Sequence, residues 1–179
     1  MKRALVLAIA MTFGAGAAEV ARHPRACSLA RLAGPLGTVA ALSAAPGTIG
    51  FQATNPALGL VPGSSAATVT WTVQSGSQLQ NWTISAQAGA SAFAGCSTIP
   101  VSAVRATCGS ASVSGGGGNG SCSGSFQLST LAQQVAGGVQ GDGTNSYSVS
   151  IGYTLDESWR YLASSSACTL TLIYTVNAP

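Results

Sequence analysis

Side chains capable of acid–base chemistry are scarce in this chain. The only histidine is His23, and the only lysine is Lys2, so the rest of the chain offers no imidazole or amine to activate a nucleophile. The remaining candidates are Asp142, Asp156 and Glu157, which have the chemistry of a glycosidase acid pair. Adjacent residues of an extended segment point to opposite faces, which disfavours pairing Asp156 with Glu157. We therefore expect no enzyme and no cofactor, with a hydrolase pairing Asp142 with Asp156 or Glu157 as an alternative.

Metal binding is the second chemistry to consider. Asp142 and Asn145 lie in a glycine-rich turn, but a calcium loop of the EF-hand type needs further oxygen ligands and a closing glutamate. The cysteines have no Cys-x-x-Cys spacing, and a zinc site needs ligands in close groups. The sequence thus predicts no metal site, and it predicts that Asp142 bonds its own backbone in the turn.

The beginning of the chain has the pattern of a signal peptide. A charged start, Lys2-Arg3, precedes an apolar stretch at 4–13 that is too short to span a bilayer, and small residues follow at 15–18. We predict a signal peptide over 1–18 and a secreted or extracellular protein associated with the cell surface. No later apolar run reaches the ~18 residues of a membrane helix, so no stable membrane span is expected after cleavage.

Secretion predicts disulfides for the cysteines. The preferred pairs are Cys96 with Cys168 and Cys108 with Cys122, the second closing a glycine-rich segment. Cys27 is left over in this scheme, or it replaces one of the four partners.

The segment from Asp156 to Tyr161 is the predicted interaction loop. Loops carry function more often than the elements they connect, and an indole ring offers a large apolar face for a sugar. The other interpretation is that Trp159 closes one end of the fold with Arg160 stacked on a ring, while Asp156 caps a helical turn. The candidate ligand-contacting residues are Asp156, Glu157, Trp159, Arg160 and Tyr161.

Two runs with an apolar residue at every second position occupy the last third of the chain. Period-two alternation indicates a strand with one buried face, and we interpret the runs at 146–155 and 168–177 as a closing hairpin. Similar alternation around Trp71 and Trp82 predicts two more strands, paired as a hairpin, with both rings in the core.

Proline and glycine turn signals separate the remaining segments. The absence of a long amphipathic helix favours an all-β fold, an antiparallel β-sandwich stapled by disulfides, as one domain over 36–179 after a flexible lead-in at 19–35. Short strands are predicted at 38–42, 48–53, 97–104 and 126–130, a surface loop at 111–125, and a short helical turn at 131–135.

Charge is low throughout: 6% of the residues are charged, against roughly 25% in ordinary globular proteins. Beyond residue 31 the chain has only Arg105 and Arg160 against three acids, so no basic patch for nucleic acid is expected. Surface polarity must come from hydroxyls and amides. Such surfaces suit extracellular β proteins in contact with walls, glycans or other subunits.

Two segments carry a family resemblance. Asn81-Trp82-Thr83-Ile84 is similar to the first Trp-x-Leu motif of bacterial WxL-type cell-surface domains, and 173–179 resembles their last strand and ending, with Tyr174 in place of the second tryptophan. The resemblance implies attachment to the cell wall or assembly with other surface proteins. A looser likeness to pilus and spore-coat subunits implies self-assembly.

The sequence therefore predicts a secreted bacterial structural or adhesion protein. It would contact cell-envelope components, other surface proteins or further copies of itself through strand edges and Ser/Thr-rich faces. The alternative is a carbohydrate-binding module that binds a glycan through the Trp159 loop.

Overall fold

A computed structural model describes residues 4–11, 38–51, 59–75, 80–156 and 168–178. Over these ranges the chain forms thirteen antiparallel strands and one 3-10 helix, Val101–Ala103. The strands are β1 Ala4–Met11, β2 Thr38–Ala45, β3 Leu60–Pro62, β4 Ala67–Ser75, β5 Asn81–Ala88, β6 Ala92–Phe93, β7 Cys96–Pro100, β8 Val104–Ser114, β9 Asn119–Cys122, β10 Ser125–Gln127, β11 Gln133–Val139, β12 Gly143–Asp156 and β13 Leu170–Asn177.

Two sheets pack face to face, which confirms the predicted disulfide-stapled β-sandwich. Sheet A has the order β1-β13-β5-β11-β9, and sheet B has the order β10-β8-β12-β4-β2, with β3 added to the end of β12. Strands β6 and β7 form a separate ribbon. Among the described residues, no helix is long and apolar enough to cross a membrane.

The core follows from the period-two pattern. In β12 the buried residues Tyr147, Val149 and Ile151 alternate with serines on the other face, and β4 and β13 repeat the pattern. Trp71 and Trp82 are fully buried, as predicted, and their rings meet edge to face at a centroid distance of 5.4 Å. Apolar faces of both sheets therefore enclose one continuous core.

Both predicted hairpins are wrong. Strand β12 belongs to sheet B and β13 to sheet A, and the Trp71 strand β4 likewise lies in the opposite sheet from the Trp82 strand β5. Each pair contacts across the core instead of through backbone hydrogen bonds. Alternation defines the buried face of a strand but does not identify the strand that it pairs with.

The predicted surface loop at 111–125 and helical turn at 131–135 are also wrong. Strand β8 continues to Ser114 and β9 begins at Asn119, so only Gly115–Gly118 connects them, and residues 133–135 belong to β11. The glycines permit close backbone contact: a Cβ on Gly116, whose φ is +58°, would collide with the backbone of Asp142. The run is a packed turn, held by a 2.9 Å hydrogen bond from the Asp142 N–H to the Gly116 carbonyl.

Strand β1 coincides with the apolar stretch of the predicted signal peptide. It pairs antiparallel with β13 from Ala4 opposite Asn177 to Met11 opposite Leu170, and forms one edge of sheet A. The predicted lead-in at 19–35 lies outside the described residues. Of the other short predictions, 38–42 falls in β2, whereas 48–50 form no strand.

A buried tyrosine pair links the two sheets. The Tyr153 hydroxyl of β12 and the Tyr174 hydroxyl of β13 are 2.6 Å apart, and the two residues are 2% and 1% exposed. Burial raises the pKa of Tyr174 to about 12 and raises the pKa of Tyr153 well above 10. Both hydroxyls therefore stay protonated at neutral pH, and one of them donates a hydrogen bond to the other.

The tyrosine pair predicts that the losses of unfolding free energy caused by removing the two hydroxyls are not additive. Tyr174→Phe should lower the free energy of unfolding by about 1–3 kcal/mol, because it leaves the buried Tyr153 hydroxyl without that partner. The Tyr153→Phe, Tyr174→Phe double variant should cost less than the two single changes together, because no orphaned hydroxyl remains. Urea unfolding of the four proteins at pH 7 measures the cycle, and additive losses would contradict the proposed pairing.

The same pair predicts alkaline destabilisation. The pKa values of both tyrosines are higher in the folded state than the value near 10 in the unfolded chain. The stability that the protonated pair contributes is therefore fully present below pH 10 and is lost as the pH rises toward about 12. Urea unfolding at pH 8 and pH 11 should show a smaller drop for the double phenylalanine variant than for the wild type. An equal drop in both proteins would assign the alkaline loss to other groups.

Candidate functional site

The predicted interaction loop is described at only one residue. Asp156 ends β12, is half-buried, and lies opposite Leu60 of β3 in the register. Glu157, Trp159, Arg160 and Tyr161 lie outside the described residues. The ligand-binding role of this loop stays a prediction.

The alternative acid pair of Asp142 with Asp156 is wrong. These residues lie at opposite ends of the extended strand β12, Gly143–Asp156. At roughly 3.3 Å per residue they are about 45 Å apart along the strand. Glycosidases hold their two carboxyl groups within roughly 10 Å. Within the described ranges, no three His, Cys, Asp or Glu residues come close enough together to hold a metal ion.

Asn145, the other residue weighed for calcium, has a structural role. Its side chain is fully buried, and its Nδ2 donates to the Gly141 carbonyl at 2.7 Å and to the Asp142 carbonyl at 3.3 Å. These bonds stabilise the turn that leads into β12 from within, whereas the Asp142 N–H bond to the Gly116 carbonyl joins it to the Gly115–Gly118 turn. This arrangement supports the prediction that the segment is a turn.

Both predicted disulfides are present. Cys96 of β7 is bonded to Cys168, just before β13, with a Cα–Cα distance of 5.3 Å. Cys108 of β8 is bonded to Cys122 of β9 with a Cα–Cα distance of 5.5 Å, which joins sheet B to sheet A at one edge of the sandwich. Cys27 lies outside the described residues.

The outer face of sheet B carries a regular array of hydroxyls, which we call the hydroxyl face. In the register of β8, β12 and β4, hydroxyl residues stand side by side in three rows, one of which continues into β2. The rows are Ser114–Ser146–Thr72, Ser112–Ser148–Thr70–Ser43 and Ser110–Ser150–Thr68. Adjacent strands are about 4.8 Å apart, and same-face residues of one strand about 6.7 Å apart, so the hydroxyls repeat in two directions.

The hydroxyl face is uncharged and partly bonded within itself. Ser43 and Thr70 hydroxyls are 2.8 Å apart, and the Ser112 and Ser114 hydroxyls donate to carbonyls of β12 at 3.4 and 3.3 Å. A hydroxyl that donates still has lone pairs that accept. Such a surface can exchange hydrogen bonds with a polymer rich in hydroxyl and amide groups, without the desolvation cost of buried charge.

Part of the hydroxyl face could be predicted from the sequence. The threonines of β4 and the serines of β12 alternate visibly with core residues. The contribution of β8 was missed because Ser112 and Ser114 fall in a low-complexity stretch that predicted a loop. The alternation of Ala111 and Val113 with these serines is the signal that could have identified the strand.

The residues behind the WxL resemblance are core residues. Trp82 and Tyr174 are 0% and 1% exposed, and Ile84 lies opposite Val176 where β5 pairs with β13. These positions support sheet A and present no surface to a ligand. No protein-family model, no curated protein and no solved structure matches this chain.

Proposed function

We propose that this chain is a non-catalytic bacterial surface protein, secreted and working by assembly or by contact with the cell envelope. The observation that carries the proposal is the hydroxyl face, an uncharged array spread over neighbouring strands of one sheet. Uncharged donors and acceptors at a regular repeat suit an extended neutral partner, such as a wall glycan or the flank of another surface subunit. The two disulfides fit work outside the cell.

A pelleting experiment tests the proposal. The purified secreted protein is sedimented alone and with isolated envelope fragments, next to the variant Ser112→Glu, Ser146→Glu. Both serines are exposed, so the variant should fold while placing two carboxylates on the hydroxyl face. We expect the wild type to pellet, with fragments or as assemblies, and the variant to lose at least about tenfold in the pelleted fraction because glutamate requires desolvation at a neutral contact.

The matched control adds the same charge elsewhere. Ser97 and Thr130 are exposed and lie outside the hydroxyl face, so Ser97→Glu, Thr130→Glu should pellet like the wild type. A wild-type protein that stays monomeric and in the supernatant with every fraction would overturn the proposed function. An equal loss of the pelleted fraction in both glutamate variants would show that the hydroxyl face is not the contact surface.

A further inference from the structure

Strand β1, at the edge of sheet A, is the strand that the secreted protein is expected to lack. Its residues lie within the predicted signal peptide, which secretion would remove. Strand β1 pairs with β13 over eight residues, Ala4–Met11, and also lies against β2 of sheet B. Its removal would leave the β13 backbone groups on that side unpaired and open the space between the two sheets.

The pairing register between β1 and β13 shows which types of residue fit beside β13. Strand β13 has four buried residues, Leu170, Leu172, Tyr174 and Val176. The β1 positions opposite these four carry the larger aliphatic residues, and the positions opposite the other four carry three alanines and a valine. In register order the first set is Met11, Ile9, Leu7 and Leu5, and the second is Ala10, Ala8, Val6 and Ala4.

The adjoining surface is apolar. A small cavity lies between the β2 end of sheet B and β13, lined by Ala44, Ile49, Leu172 and Tyr174 among others. Ile49 and Leu172 are buried, with 1% and 0% exposure. An uncovered strand edge beside an apolar space is a strong template for another extended chain.

The lead-in of the chain is a poor substitute for β1. Between residues 19 and 37, the longest run without a charge or a proline is five residues, Ala26–Ala30, against the eight of β1. Proline removes a ladder donor, and arginine would place a charge beside the apolar space. The same mismatch applies to the lead-in of a second copy. The β13 strand of a second copy is no better, because its own apolar residues are already buried in its core.

We propose that the β13 edge of the secreted protein accepts an extended segment of another polypeptide. That segment runs antiparallel to β13, is uncharged over about eight residues, and carries a large aliphatic residue at every second position. Backbone hydrogen bonds to β13 provide affinity, and the aliphatic residues at the positions opposite Leu172 and Tyr174 provide specificity. This inference rests on the proposed function, since it needs secretion with loss of residues 1–18, and it names the kind of partner used in assembly.

Peptide exchange into the intact fold tests the acceptor edge. The full chain, carrying a protease site inserted after Ala18, is folded, oxidised and cut, so that β1 is held only by non-covalent contacts. A fluorescent peptide of residues 4–11 with lysines at both ends is then added. We expect it to replace β1 and co-elute with the protein. The Ile173→Cys protein should form a disulfide with the peptide carrying Ala8→Cys, since Ala8 lies opposite Ile173.

Two charged peptides test the register. The peptide with Leu7→Asp places its charge opposite the buried Tyr174 and should exchange at least about tenfold less, because a charge next to a buried residue has to be desolvated. The peptide with Ala8→Asp carries the same charge opposite Ile173 and should exchange like the unmodified one. Equal exchange by both, or no exchange while the cut protein stays folded, would overturn the proposal.

Two measurements on the secreted protein complete the test. Intact mass should show loss of residues 1–18; a secreted protein that retains 4–11 keeps its edge covered and overturns the acceptor. Dimerisation of the cut protein that excludes the peptide would assign the edge to a second copy and also overturn it. Successful exchange by a protein that never pellets would leave the acceptor standing and overturn only the proposed surface function.

Discussion

Loss of the Cys96–Cys168 disulfide is expected to lower the free energy of unfolding by about 4 kcal/mol. The two cysteines are 72 residues apart, so the bridge removes much conformational freedom from the unfolded chain. In the folded state the site keeps other contacts, because Ala94 and Thr169 exchange backbone hydrogen bonds of 2.8 and 2.9 Å. The loss should therefore arise mainly in the unfolded state. Urea unfolding of the Cys96→Ser, Cys168→Ser variant measures it.

The second disulfide is the matched control. Cys108 and Cys122 are only 14 residues apart, and their double serine variant should lose about 3 kcal/mol. The long-range bridge should thus cost about 1 kcal/mol more than the short-range one. The reverse order would show that contacts at the β8–β9 edge outweigh the restriction of the unfolded chain.

Trp82→Ala is expected to lower the free energy of unfolding by about 3–5 kcal/mol. Trp82 is 0% exposed, its ring meets Trp71 and Tyr147 at centroid distances of 5.4 Å each, and its Nε1 donates to the Asn119 carbonyl at 3.0 Å. Truncation would remove the ring contacts that join sheet A to sheet B and the hydrogen bond from Trp82 to β9. Chemical unfolding gives the stability loss, and the near-ultraviolet circular dichroism should lose the signal of the packed rings.

Two further variants, one at Trp82 and one control at an exposed residue, show where the stability loss of Trp82→Ala comes from. Trp82→Phe keeps an aromatic ring but loses the bond to the Asn119 carbonyl, so we expect an intermediate loss of about 1–3 kcal/mol. Leu131 is 75% exposed, and Leu131→Ala should change stability by less than about 0.5 kcal/mol. A loss for Trp82→Ala as small as that for Leu131→Ala would contradict the central position of this ring.

Local pattern was sufficient to predict the fold class and much of the core. Period-two alternation in β4, β5, β12 and β13 identifies strands and their buried faces, because successive side chains of a strand point to opposite sides. The same argument placed Trp71 and Trp82 inside. Low charge predicted a surface of hydroxyls and amides, and the rows on sheet B consist of serine and threonine hydroxyls.

Glycine-rich sequence was misleading for a physical reason. A run such as Gly115–Gly118 suggests freedom, since glycine restricts the backbone least. In the fold, the absence of a side chain allows two turns to touch, with the Gly116 and Asp142 backbones in hydrogen-bonding contact. Composition does not distinguish a free turn from a packed one, because the neighbour comes from elsewhere in the chain.

The residues by themselves determined the strands β4, β5, β12 and β13, the buried faces of these strands, and that the cysteines pair across the chain. Only the tertiary structure decided which strands are neighbours: it separated β12 from β13, assembled the hydroxyl face from β8, β12 and β4, and placed β1 at the β13 edge. The reason is that side-chain alternation is a local property, whereas strand pairing depends on backbone hydrogen bonds between segments far apart in sequence.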